Sequence, residues 1–205
     1  MSAGESAEKY IADPASADIE GASNVLVVAP SLADGMRKAY FETVLGVDPA
    51  EQDLLTVQYN RSPRQYLAEW ERYRGTVPQR CGIVDVAEPG ATAGDAGVEA
   101  ATVARIESPG DLTGVGMKVG SYLEDHGDAA TVLTLDSVTG LLQYVDVERA
   151  FRLLHAIASQ VRAVDADGYY HVDPNAHDDQ VLATLAQLFD AVARFDDGDW
   201  ETKRR

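Results

Sequence analysis

The chain predicts an α/β fold: a mainly parallel sheet with helices on both faces. Three observations carry that prediction. Apolar runs suited to buried strands lie at 24–29, 54–58, 82–87, 131–136 and 168–173, and segments of helical periodicity alternate with them. The 205 residues, 45% of them hydrophobic, suffice for one domain with a core of ordinary size. The single cysteine, Cys81, excludes an intramolecular disulfide and a CxxC metal site, so packing must supply the order.

Taken in order, residues 1–22 are rich in Ala, Ser, Glu and Asp and read as a flexible acidic arm before a domain spanning 23–195. The first strand, 24–29, leads through a turn into a helix that ends the segment 24–44. After the second strand, Ser62 and Pro63 provide an N-cap and a proline at the first helical position, and Gln65 can close a capping box. Tyr66, Leu67, Trp70 and Tyr73 then recur at helical spacing. The third strand runs from Gly82, and the Gly/Ala-rich stretch 88–110 has little periodicity and reads as a long surface loop. Asp111 opens a helix with Leu112, Val115, Val119 and Tyr122 on one face. The run Thr131-Val-Leu-Thr-Leu-Asp136 is the clearest strand. Asp146 opens the next helix, carrying Val147, Ala150, Phe151, Leu154, Ile157 and Val161 on its apolar side. A last helix is expected from Asp178, presenting Val181, Leu182, Leu185, Leu188, Phe189 and Val192. Residues 196–205 read as a charged tail, with Trp200 packing back or joining a short strand.

Charge narrows the function classes. There are 34 acidic residues against 17 basic ones, a net −17, and only four of the basic residues are lysine. Such a surface repels nucleic acid and anionic lipid, so neither is an expected partner. The acids are scattered rather than gathered in one run. Scattered acids with scarce lysine fit a cytoplasm of very high salt, as in haloarchaea, where screening shortens repulsion to a few ångströms. No apolar run approaches the roughly 18 residues of a membrane span, and no basic-then-apolar leader is visible, so a cytoplasmic protein is expected.

The segment 24–44 stands where a phosphate-binding loop, G-x-x-x-x-G-K-[ST], would join a first strand to its helix. With Pro30 as the third loop position, Val28 and Ala33 replace the glycines, Asp34 the lysine and Gly35 the hydroxyl residue. Asp34 would set a negative charge against a triphosphate. The run Leu135-Asp136-Ser137 ends a strand as a Walker B element does, where the aspartate serves a magnesium ion. The residues a nucleotide could still meet are Pro30, Ser31, Asp34, Gly35, Asp136 and Ser137. For a metal ion, Asp136, His171, Asp173 and His177 are the weak candidates, and their spacing fits no familiar motif. His126 and His155 read as helix residues without chemistry, and no serine or cysteine carries a nucleophile signature.

The order of elements over residues 22–195 resembles the RecA-superfamily ATPases of the KaiC type. The resemblance is carried by 24–31, by Ser62-Pro63-Arg-Gln-Tyr-Leu, by Leu-Asp-Ser-Val-Thr-Gly-Leu-Leu at 135–142 and by Tyr170-His-Val-Asp-Pro174. It implies a RecA-like three-layer sandwich and a short haloarchaeal KaiC-like protein of regulatory type. KaiC-type enzymes place two glutamates just before the Ser-Pro helix, one of them the general base. Here Asn60 and Arg61 stand there, and neither can take a proton from water. The resemblance therefore implies a pseudo-ATPase that acts through an unidentified protein partner, whose stability in magnesium is expected not to depend on Asp136. The alternative is an ATP- and magnesium-binding protein or slow ATPase of a homo-oligomer, with catalytic groups supplied between subunits and Arg61, Arg64, Arg72 and Arg74 forming part of the interface. A receiver domain would need an acidic pair after the first strand and a lysine after the fifth. Asp85 alone imitates its acceptor.

Overall fold

The computed structural model describes residues 19, 21–31, 35–45, 48–59, 61–86, 100–196 and 198–204. Strand β1 (Asn24–Val28) is followed by helix α1 (Met36–Ala39), which widens into a π-helical turn over Tyr40–Val44. Then come β2 (Asp53–Gln58), α2 (Pro63–Arg74), β3 (Arg80–Val86), β4 (Thr102–Ile106) and α3 (Leu112–His126). The second half holds β5 (Thr131–Asp136), α4 (Val138–Leu141), α5 (Val147–Ala163), β6 (Asp167–Val172), α6 (Asp179–Ala186), β7 (Ala191–Asp196) and β8 (Asp199–Arg204). One eight-stranded sheet runs in the order β4-β3-β2-β5-β6-β1-β7-β8. Every pairing is parallel except that of β7 with β8.

Alternate residues of each central strand enter opposite cores, as the period of two requires. Leu26, Val28, Leu55, Val57, Leu133 and Leu135 pack under α3, α5 and α6, against Val119, Leu154, Ile157, Val161 and Leu185. Val25, Val27, Leu54 and Ile83 face the other way, onto Met36, Phe41, Tyr66 and Trp70 of α1, the π turn and α2. Phe41 centres that second layer, its ring 5.2 Å from Trp70 and edge-on to it. The three layers expected from the alternation are therefore present.

The cap signals hold. Ser62 and Gln65 form the reciprocal capping box of α2, and Asp111, Asp146 and Asp178 accept from the amides of Gly114, Arg149 and Val181 at the starts of α3, α5 and α6. Gly82 has a packing cause. A Cβ there would lie 2.3 Å from the Tyr122 ring, so only glycine lets α3 settle on β3.

Three expectations are corrected. Within the expected loop 88–110, residues 102–106 form β4, an edge strand paired with β3, while 88–99 lie outside the described residues. The last helix stops at Ala186: Leu188 and Phe189 close a tight turn, and Val192 belongs to β7, whose inward and outward residues alternate. The sheet continues past the expected boundary at 195: residues 199–204 form β8, and Trp200, expected to pack back or join a short strand, does both, its ring 5.1 Å from that of Phe195. The acidic arm, apart from Ile19, Gly21 and Ala22, also lies outside the described residues.

Candidate functional site

Strands β5 and β6 lie between β1 and β2, so the chain reverses its order of addition across the middle of the sheet. The carboxyl ends of β1, β2, β5 and β6 meet at that switch point, where open α/β sheets place their ligands. Register does the positioning: Gln58 pairs with Asp136 and Val28 with Val172. The ends of these strands and the loops after them bring together Pro30, Ser31, Arg61, Asp136, Ser137, His171 and Asp173. Asp34 lies outside the described residues, as does Asn60.

Asp136 is 2% exposed and is held on every side. Its Oδ2 accepts from Arg37 Nη1 at 3.0 Å and from Arg61 Nη1 at 2.7 Å. Its Oδ1 faces His171 Nδ1 at 3.2 Å, while His171 Nε2 faces the Ala29 carbonyl at 2.9 Å. Both nitrogens of this imidazole therefore meet acceptors. Arg37 comes from the first turn of α1 and also grips Glu69 of α2 through Nη2 and Nε. Its guanidinium lies over the rings of Tyr40 and Phe41, at 5.5 and 5.2 Å. Arg61 reaches Glu69 as well, at 3.7 Å. The result is a closed cluster of two guanidinium groups and two carboxylates that ties α1, α2 and β5 together.

The electrostatics follow from that closure. Burial alone would raise the Asp136 carboxyl. The Arg37 guanidinium, the His171 hydrogen bond and Arg61 outweigh it and hold the group well below the usual carboxylate range. Burial likewise opposes the charge on Arg37, and Asp136 and Glu69 more than restore it. Beneath the cluster, the Tyr40 hydroxyl and Gln58 Oε1 are buried without a hydrogen-bond partner among the described residues.

The β1 loop is occupied in the complementary sense. The Ser31 amide, which a phosphate oxygen would need, donates to Asp173 Oδ2 at 2.8 Å. Burial raises the Asp173 carboxyl, and the amides of Ser31 and Asn175 pull it below its ordinary value. Gly35 sits at φ +76° before α1 and supplies no hydroxyl. Ser137 spends its side chain on the Gly140 amide as the N-cap of α4. Lys38, a distant candidate for the missing lysine, is 64% exposed and pairs with Glu42 on its own helix.

These residues do not fit magnesium and a triphosphate. The carboxylate that would serve the metal is already neutralised by two internal cations, and the loop amide that would serve a phosphate already serves an internal anion. Of the metal candidates, Asp136 and His171 meet, but His177 turns instead to Thr139 Oγ1 at 3.1 Å. Among the described residues no group of three or more His, Cys, Asp or Glu is arranged to hold a metal ion. Cys81 is buried, and burial pushes its thiol up to about 12. Asp85 lies inside β3, facing Arg105 at 3.4 Å, rather than at a strand end. Sequence reading had found Asp136 and missed Arg37. It treated Arg61 as a lost base rather than a replacement cation.

A family model described as a family of unknown function, DUF7504, matches residues 22–195. No curated protein matches the chain. Among solved structures it is similar to a Pyrococcus horikoshii OT3 protein titled as a structural study of PH0250 (11% identity, TM-score 0.57, covering 89% of this chain and 86% of that one). It is also similar to the flagellar accessory protein FlaH from Methanocaldococcus jannaschii (12% identity, TM-score 0.51, covering 88% and 75%). These likenesses and the sheet order give the chain a RecA-like fold.

Proposed function

The chain belongs to the DUF7504 family, and from that premise we propose that it is a KaiC-like pseudo-ATPase, a regulatory or scaffolding protein that works through protein contacts. One observation carries the reading: Arg37 and Arg61 stand on Asp136 where a metal ion would be served. Arg61 also occupies the place of a catalytic glutamate, so the general base and the metal are lost together and one cation answers for both. The setting, signal transduction or transcriptional control, is what the resemblance to KaiC-type proteins implies. The net −17 charge, spread along the chain with little lysine, supports a haloarchaeal source. Among the described residues no helix is long and apolar enough to cross a membrane. The alternative of a shared catalytic site loses support, because Arg61 binds Asp136 and Arg74 binds the carbonyls of Phe41 and Leu45 within the same chain.

Calorimetry of Mg-ATP in multimolar KCl tests the proposal. No saturable heat is expected from the wild-type chain or from Asp136→Asn, with folding of both checked by thermal melting. Saturable magnesium-dependent binding that Asp136→Asn abolishes would overturn it. Activity that rises with protein concentration would instead restore the oligomeric alternative.

A further inference from the structure

Beside the ionic cluster, between α4, the start of α5 and the turn at Pro174–Ala176, lies a cleft of about 520 Å³. Its volume falls within the range of roughly 300–1,000 Å³ typical of small-molecule sites. Leu142, Val145 and Val147 give it an aliphatic wall. Thr139, Gln143, Asp146 and His177 add polar side chains to the lining, Asp146 while also capping α5 through the Arg149 amide. Among the described residues the lining contains no lysine or arginine, and the carboxylates of Asp173 and Asp178 pull electrostatically on His177. Burial lowers His177 against the pull of those two carboxylates, which favours the neutral, hydrogen-bond-accepting ring.

The cleft is also wired to the β1 loop. His177 Nε2 meets Thr139 Oγ1 at 3.1 Å, and that oxygen accepts from the Asp173 amide at 2.9 Å. The Asp173 carboxylate in turn accepts from the Ser31 amide at 2.8 Å. A ligand that moved His177 would be felt at Ser31 through three hydrogen bonds. We infer that this cleft binds a small aliphatic amine, its hydrocarbon body on Leu142, Val145 and Val147 and its ammonium among Asp146, Thr139, Gln143 and His177. The site goes beyond the pseudo-ATPase reading and does not depend on it. Asp146, the carboxylate of that lining, disfavours an anionic head group there.

The test uses two probes with one hydrocarbon body and opposite heads, 3-methylbutylamine and 3-methylbutanoate, titrated into the isotopically labelled full chain. The amine is expected to shift the amide signals of Thr139, His177 and Ser31 along one saturable curve, and the carboxylate to leave them in place. Two variants at exposed positions guard against misfolding. Ala176→Trp fills the cleft and Gln143→Lys sets a cation in it, and each should weaken amine binding about tenfold or more. The inference fails if the amine gives no saturable shift, if both probes shift the same signals equally, or if the shifts survive in both variants.

Discussion

Asp136 shows how a residue can keep its place while changing its work. In the fold it is a buried carboxylate whose neighbours are all donors, so its loss leaves two guanidinium groups facing each other around Glu69 alone. Truncating one partner of a buried ion pair costs about 3–5 kcal/mol. Asp136→Ala is therefore expected to lower the stability of the chain by that order, with or without magnesium, in chemical denaturation. This revises the expectation that stability would be independent of Asp136. A pH prediction follows from its depressed folded-state pKa. The unfolded carboxyl titrates near 3.8, so the contribution of Asp136 is fully present above that pH and is lost as the pH falls toward the folded value. The wild-type chain should lose stability faster than Asp136→Asn below about pH 4, and parallel acid limbs in the two melting profiles would contradict the assignment. The cluster itself was hard to read from sequence. Arg37 and Arg61 lie 99 and 75 positions from Asp136, so no local spacing announces their meeting. The one available signal was a cation beside Ser62-Pro63 where a carboxylate was expected.

The elements divide by how local their causes are. Helix starts were legible because a cap is written within four residues, as Ser62 to Gln65 and Asp146 to Arg149 show. Strand β7 was not. Leu188, Phe189 and Val192 continue the helical spacing of α6, and only the sheet's demand for a neighbour to β1 makes Ala191–Asp196 a strand. Strand β4 was obscured by the weakly periodic stretch before it. A contact between elements offers the sharper test. Gly82→Ala would force the Tyr122 ring off β3 and should cost about 1–3 kcal/mol. Combining it with Tyr122→Leu should cost less than the sum of the two single changes, measured as a double-mutant cycle. Strict additivity would show that the glycine answers to something else.

Over the whole molecule, alternation of apolar runs and helices was enough to give the class of fold, because a doubly covered parallel sheet leaves few other ways to bury them. What the site does is less legible, since the fold brings its parts together from four strand ends. Net charge acts at this scale too. With 34 acids against 17 basic residues, self-repulsion opposes the compact state, and salt relieves it. The melting temperature should climb steadily as KCl is raised from low to multimolar concentration, and a flat profile would remove the support that charge lends to a high-salt habitat. The two rims of the sheet then differ in what they offer a second molecule. On the β8 side the border carries Asp199, Glu201, Lys203 and Arg204, charges that make stacking of another strand against it unfavourable. Lateral growth into fibrils is thus disfavoured along that border by residues expected to form a charged tail.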